Sequence, residues 1–275
     1  MIYIFIIILI LFIIYAYFQN NFLKVSYYEI ENKKINKDFK NFKIAHISDY
    51  HNFSSNKLNK DLVSNLITIK PDIIVISGDF IDSRNTKINV SLELIKKINS
   101  IAPIYYVPGN HESRLDEYND FKKKLKELNV HVLENKKEAI IRGNSKLNVL
   151  GIIDPRFSNK SKEFDSDVIK DYIDKLKHDN KEYNILLSHR PEFFLAYVEK
   201  SIDLVFSGHA HGGQIRFPFT DGLFAPGQGI FPKLTSGVRK SGNTTLVISR
   251  GIGKSVFPFR INNRPELVIA TLKSK

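Results

Sequence analysis

The sequence contains no cysteine. That absence excludes disulfides, a thiolate nucleophile and thiolate metal ligands, while leaving the cellular compartment open. Acidic side chains are in deficit, with 29 Asp+Glu against 41 Lys+Arg and a formal net charge of +12. Charge alone names no partner, so three readings stand: an anionic membrane surface, nucleic acid, or a lysine-rich solubilising surface. The first eighteen residues, MIYIFIIILILFIIYAYF, carry no charged side chain. No lysine or arginine precedes this run and no small-x-small site follows it, which argues against a cleaved secretory signal. The sequence has no internal repeat and no low-complexity tract.

A chain of 275 residues is long enough to bury roughly 70–75% of its extended surface in one core, and a single catalytic domain with a short appendage is the expectation. A helix over residues 2–18 would be about 25 Å long, slightly short of a hydrocarbon core but sufficient with Gln19 and Asn20 at the interface. Residues 1–20 are therefore expected to be a transmembrane anchor, 21–40 a polar tether and 41–275 the catalytic domain. The flank carries Lys24, Lys33, Lys34, Lys37, Lys40 and Lys43, so the positive-inside rule favours a single-pass protein of the cell membrane with a cytoplasmic domain.

Beyond residue 40 strand-like and helical patterns alternate. Apolar runs at 43–48, 72–77 and 104–108 are separated by helical spacing at 58–69 and 89–98, with a further helix at 118–128. The second half repeats the scheme, with strands at 147–153, 183–188 and 203–207 and helices at 165–178 and 191–199. This predicts an α/β core with strands covered on both faces. Two late strands, 245–249 and 266–272, suggest a second sheet that includes antiparallel pairing. Between them and the earlier strands, residues 212–243 form a loop-rich stretch bearing Phe217, Phe219, Phe224 and Phe231, too long for an ordinary connector.

Polar residues gather at the ends of the strands. Asp49 and His51 follow the first, Gly78 and Asp79 the second, and Gly109, Asn110 and His111 the third. His189 follows the strand at 183–188, and Gly208, His209 and His211 follow 203–207. In α/β sheets the C-terminal strand edge is where loops project side chains into one crevice. Carboxylate, amide and imidazole donors suit Mn²⁺, Zn²⁺ or Fe. Seven candidates, Asp49, His51, Asp79, Asn110, His189, His209 and His211, are too many for one tetrahedral ion but suffice for two ions about 3.5–4 Å apart sharing a carboxylate. Glycines 78, 109 and 208 permit sharp exits and close backbone approach. His46, His131 and His178 are read as ordinary surface or hydrogen-bonded residues.

The ordered set D-x-H (Asp49, His51), G-D (Gly78, Asp79), G-N-H-E (109–112), S-H (Ser188, His189) and G-H-x-H (208–211) resembles the calcineurin-like metallophosphoesterase superfamily. The stretches SHRPEFF, GHAHGGQIR, SRGIG and PFRINNRPELVIATL resemble its membrane-associated bacterial branch of phosphodiesterase and UDP-2,3-diacylglucosamine pyrophosphatase-like proteins. The resemblance implies a four-layer α/β/β/α sandwich. It further implies one ion held by Asp49, His51 and His211, another by Asn110, His189 and His209, and Asp79 bridging them. Tyr50, where many relatives have leucine, is expected to point away from the metals, with a place at the cleft entrance as the alternative.

The expected chemistry is two-metal hydrolysis of a phosphodiester or pyrophosphate at the membrane surface, by a metal-bound water or hydroxide attacking phosphorus in line. His111 is the candidate for transition-state stabilisation or protonation of the leaving oxygen, with support of a ligand carboxylate as the alternative. Arg190, Arg216 and Arg250 are candidate phosphate contacts, whereas Arg260 and Arg264 are expected to order the terminal turn. A lipid-linked substrate stands beside a soluble phosphodiester or nucleotide. A nuclease and a metal-retaining scaffold are further alternatives, and nucleic acid is disfavoured because no basic stretch with interleaved stacking aromatics lies beside the motifs.

Overall fold

The computed structural model describes residues 1–158, 165–255, 257 and 259–274. Helix α1, Ile2–Asn21, is apolar all round and nearly wholly exposed, and it is long enough to cross a membrane. Strand β1, Lys24–Asn32, follows it directly. This segment lies within the expected tether. It is a strand because alternate side chains are apolar or small and its backbone pairs along its length with a distant partner.

The catalytic domain then alternates as its periodicity predicts. Strand β2 (Lys43–Ile47), helix α2 (Asn56–Ile69), strand β3 (Ile73–Ser77), helix α3 (Ile88–Ile98), strand β4 (Ile104–Val107), helix α4 (Tyr118–Glu127) and the short β5 (His131–Val132) build the first half. Helix α2 starts at Ser55, whose hydroxyl accepts from the Leu58 amide, and stops at Lys70 in the left-handed region ahead of Pro71. Its buried residues Leu58, Leu62 and Leu66 recur every four positions, which puts them on one stripe.

Strands β6 (Lys136–Arg142) and β7 (Ser145–Gly151), helix α5 (Ser166–Lys175), strand β8 (Tyr183–Leu187), helix α6 (Phe194–Glu199) and strand β9 (Leu204–Ser207) follow. A small hairpin of β10 (Phe224–Ala225) and β11 (Gly229–Ile230) precedes β12 (Gly237–Ser241), β13 (Thr244–Ile248) and β14 (Glu266–Ser274). One sheet has the order β1-β14-β2-β3-β4-β5 and the other β12-β13-β9-β8-β7-β6. The two late strands therefore separate: β13 joins β9 in the second sheet, while β14 enters the first between β1 and β2. Their apolar runs specify burial but carry no information on which edge they complete.

Strand parity generates the layers. In β2 and β3, Ala45, Ile47, Ile74 and Ile76 pack under α2–α4. Ile44, Ile73 and Val75 face the opposite sheet, where they meet a cluster that includes Val149, Leu187, Phe206 and Val247. The outer face of the second sheet buries Leu150, Leu186 and Val205 against Ile173 of α5 and Tyr197 of α6. The result is an α/β/β/α sandwich. Within each sheet β2, β3 and β4, and likewise β7, β8, β9 and β13, run parallel, so their C-terminal ends share an edge.

Candidate metal centre

At that edge the chain makes abrupt turns. Asp49, His51, Asp79, His209 and His211 all have positive φ, between 47° and 63°. Non-glycine residues avoid this region, and strain there is concentrated at functional sites. The backbone is crowded as well. A methyl group on Gly208 would lie 1.7 Å from Ser48 Oγ and 2.2 Å from Asp49 Oδ2, and one on Gly109 would lie 2.4 Å from Asp79 Oδ1. Gly78, at φ +93°, leaves 2.7 Å between its hypothetical Cβ and His189 Nδ1. The small residues are required because side chains from both sheets occupy the space beside them.

Six of the seven expected ligands form two buried groups, Asp49 with His51 and His211, and Asp79 with His189 and His209. In the first, His51 Nε2 and His211 Nε2 stand 3.2 Å apart and His211 Nε2 is 3.3 Å from Asp49 Oδ1. In the second, His189 Nε2 is 3.2 Å from both His209 Nδ1 and Asp79 Oδ2. Asp79 Oδ2 also faces the first group, 3.9 Å from His51 Nε2. Donors about 2.1 Å from one ion stand roughly 3.0–3.4 Å from each other, so the spacing fits cations. The seventh residue, Asn110, has a buried side-chain oxygen without a hydrogen-bond partner among the described residues. An orphaned acceptor beside these groups fits a cation ligand.

The surrounding contacts orient the donors. His189 Nδ1–H donates to the Ser77 carbonyl at 2.7 Å, which leaves the Nε2 lone pair for the site. Asp49 accepts from the Ser48 hydroxyl at 2.6 Å and from the His209 amide at 3.0 and 3.1 Å. The His111 amide donates to Asp79 Oδ1 at 2.8 Å, holding Oδ2 towards the imidazoles. Burial pushes Asp49 up to about 6 and His51 down to about 3. His189 is also buried, yet the Asp79 and Asp49 carboxylates push it up to about 10. A positive charge between these groups is thus electrostatically favoured, and a bound cation meets the same demand with neutral imidazoles.

Glu112, read in the sequence only as the end of a motif, has a defined part. Its Oε2 accepts from the Asp79 and Gly109 amides at 3.0 and 2.8 Å, and its Oε1 from Phe80 and Ile81 at 2.7 and 3.0 Å. Burial and the Asp79 carboxylate push it up to about 7, against the pull of those amides. The carboxylate pins the loops after β3 and β4 to each other.

His111 lies beside the groups, with Nε2 4.0 Å from Asp79 Oδ2. The Ser83 amide donates to Nδ1 at 3.1 Å, so the neutral ring carries its proton on Nε2. Burial opposes a second proton, but Asp79 and Asp82 outweigh it and raise His111 above its ordinary value. Either state presents Nε2–H to the cavity. That cavity, of about 160 Å³, is lined among others by Asp79, Asn110, His111, His209, His211, Arg84, Arg114 and Arg190.

The three arginines expected at phosphate all have protein partners, and one of them, Arg190, borders the cavity. Arg190 is fully buried, its Nε and Nη2 donating to Asp154 at 2.6 and 3.2 Å, although it borders the cavity. Arg216 donates to the Gly212 and Asp221 carbonyls and to the Thr235 and Ser236 hydroxyls. Arg250 donates to the Asn262 carbonyl and stands 3.8 Å from Glu266. The exposed arginines on the cavity are instead Arg84, paired with Asp82, and Arg114. They lie in the loops after β3 and β4, five residues beyond Asp79 and four beyond Asn110. Arg260 orders the terminal turn by donating to the Arg250, Gly251, Gly253 and Asn263 carbonyls, while Arg264 binds the Phe22 and Leu23 carbonyls at the end of α1. Tyr50 is buried against Phe80 and does not line the entrance. His46 contacts Ser77, His131 pairs with Glu138 and His178 contacts the Lys200 carbonyl.

A family model for calcineurin-like phosphoesterase matches residues 42–213. The chain is 30% identical to a metallophosphoesterase of Aquifex aeolicus, over 95% of this chain and 96% of the relative. It is 28% identical to the metallophosphoesterase YkuE of Bacillus subtilis, over 94% and 88%, and 25% identical to the phosphodiesterase YaeI of Escherichia coli, over 84% and 82%. The NAD nucleotidase NadN of Haemophilus influenzae shares the fold at a TM-score of 0.51 and 16% identity, over 76% of this chain and 45% of that one. The chain belongs to the calcineurin-like phosphoesterase family. Its fold and its His/Asp groups support a metal-dependent hydrolase.

Proposed function

We propose that this protein is a membrane-anchored, two-metal phosphodiesterase or pyrophosphatase, with its catalytic domain on the cytoplasmic side. One observation carries the reading: two buried donor groups drawn from both sheets meet at a single oxygen, Asp79 Oδ2. Asp49, His51 and His211 would hold one divalent ion, Asn110, His189 and His209 the other, and Asp79 both. Imidazole and carboxylate donors suit Mn²⁺ or Zn²⁺, and also Fe. Two such ions supply charge neutralisation for the phosphoryl oxygens and an acidified water aimed at phosphorus.

The protein's own groups do the rest. His111 in its protonated form, which Asp79 and Asp82 favour, gives its Nε2 proton to the leaving oxygen and is left as the neutral ring, with Nδ1 facing Asp82 Oδ1 at 3.4 Å. Glu112 fixes the loops that carry Asp79 and Asn110. Arg84 and Arg114, at the cavity surface, contact the anionic oxygens of the substrate. The diester reading is supported by similarity to a relative described as a phosphodiesterase. The lipid-linked reading draws on α1, whose polar end is followed by Lys24.

The test uses the full chain in nanodiscs, stripped of metal and reloaded with Mn²⁺ or Zn²⁺. Release is followed from bis-p-nitrophenyl phosphate, a UDP-diacyl-sugar, cyclic nucleotides and single-stranded DNA. Metal-dependent cleavage of the diester or the UDP-lipid is expected. Absence of turnover on every substrate with both metal positions filled would refute an enzyme and favour a scaffold, and preference for DNA would favour a nuclease.

A further inference from the structure

The end of α1 is fastened to the catalytic domain. The Tyr15 hydroxyl donates to Asn262 Oδ1 at 2.5 Å, Asn20 Oδ1 accepts from the Arg260 amide at 3.0 Å, and Gln19 Oε1 accepts from the Asn263 amide at 3.1 Å. The same turn reaches the site, because Asn263 Nδ2 donates to the His211 carbonyl at 2.7 Å. Asn262 Nδ2 also donates to the Arg216 carbonyl, one residue before Phe217. Arg264 lies 4.7 Å from the Phe18 ring and Lys57 3.0 Å from the Phe22 ring, cations at the level where a spanning helix meets headgroups.

This clamp leaves too little helix. Residues 2–14 stand clear of the domain, and at about 1.5 Å per residue they measure roughly 20 Å. A hydrocarbon core of about 30 Å is deeper, so a spanning α1 draws the clamped rim of the domain down to the bilayer interface. The rim is built for that position. Phe217, Phe219, Phe224 and Phe231 on one segment, and Phe257 and Phe259 on another, are all exposed, Phe219 fully. Ile230 is exposed on the first segment as well, and among the described residues the remaining large exposed apolar side chains outside α1, Tyr27, Ile67, Ile141 and Leu195, lie on separate elements. Phe217 and Phe219 do not pack between the sheets. Each segment also lines the cavity, through Pro226 and Gly227 on the first and Ser255 on the second.

We propose that this phenylalanine-bearing rim is a second membrane contact, seated in the headgroup–acyl boundary of the leaflet where α1 ends, so that the cavity opens at the level of lipid headgroups. The contact rests on α1 spanning the bilayer and is independent of which phosphoester is cleaved. Apolar side chains at such depth, about 5–10 Å into the boundary, are characteristic of interfacial contacts.

The chain contains no tryptophan, so single replacements report without background. Full-length Phe219→Trp, Phe259→Trp, Ile10→Trp and Leu195→Trp are each reconstituted in phosphatidylcholine vesicles brominated at defined acyl positions. Phe219→Trp and Phe259→Trp should emit to the blue and be quenched most by bromines near the headgroup end. Ile10→Trp should be quenched by bromines near the bilayer centre, and Leu195→Trp, on the outer helix α6, should remain unquenched. Solvent-like, unquenched emission from the two rim positions with Ile10→Trp still quenched would overturn the rim contact while leaving the anchor intact. Loss of quenching at Ile10→Trp as well would overturn both.

Discussion

Replacing Glu112 by glutamine changes one oxygen to an amide and nothing in the size of the side chain. In the parent each carboxylate oxygen accepts from two backbone amides, Asp79 and Gly109 on one side, Phe80 and Ile81 on the other. Whichever way the glutamine amide is turned, its NH₂ confronts two N–H groups that have no other acceptor. In melts at about pH 8.5, above the value of about 7 to which burial and Asp79 push Glu112, the carboxylate is ionised. A hydrogen bond to a charged group contributes about 1.5–3 kcal/mol, so losing two costs about 3–6 kcal/mol, a large share of the roughly 5–15 kcal/mol that keeps a domain folded. At about 2–4 °C per kcal/mol for a domain of this size, the lower figure alone lowers Tm by roughly 6–12 °C. The loops after β3 and β4 carry Asp79 and Asn110, so metal affinity should fall together with Tm. Thermal melts of the metal-free and metal-loaded protein, with metal content by mass spectrometry, measure both effects; exposed Glu117→Gln serves as the control. A Glu112→Gln protein that melts with the parent and retains two ions would refute the pinning role.

His111→Ala should lower kcat by about 10²–10⁴-fold, the usual range for a lost proton donor, with metal content unchanged. Loss of an ion in that variant would instead make His111 a positioning residue for Asp79. Gly208→Ala places a methyl 1.7 Å from Ser48 Oγ and 2.2 Å from Asp49 Oδ2, so it should displace Asp49 and empty the ion position it shares with His51 and His211. Normal occupancy of both positions would contradict the crowding argument.

The convergence of the candidate donors was legible because each follows an apolar run that reads as a buried strand, and parallel strands bring their ends together. The pairing of Asp79 Oδ2 with both groups was implied by resemblance, and the coordinates supply the distances. Edge strands were harder to read. β1 and β6, with sequences KVSYYEIEN and KKEAIIR, show a buried face only after their partners are known. β14 was readable as a strand but not as a member of the first sheet, because sheet membership is a long-range choice between comparable edges. The arginines show what linear order leaves out. Arg190 directly follows His189 and borders the cavity while paired with Asp154, and Arg84 and Arg114 reach the same cavity from the loops that carry Asp79 and Asn110.

The position of β14 between β1 and β2 also orders events during synthesis. β1 leaves the ribosome with α1, but the strand that satisfies its backbone follows some 240 residues later, the separation of the Ser26 and Glu266 side chains that meet across the pair. At about 5–20 residues per second that interval is roughly 10–50 s. Throughout it the hydrophobic segment is free to partition into the bilayer while the first sheet still has a gap. The turn that supports His211 is made within the same final stretch, through Asn263. On the proposed anchoring, insertion of α1 would therefore precede closure of the sandwich, and a nascent chain would complete its donor geometry only after it is tethered.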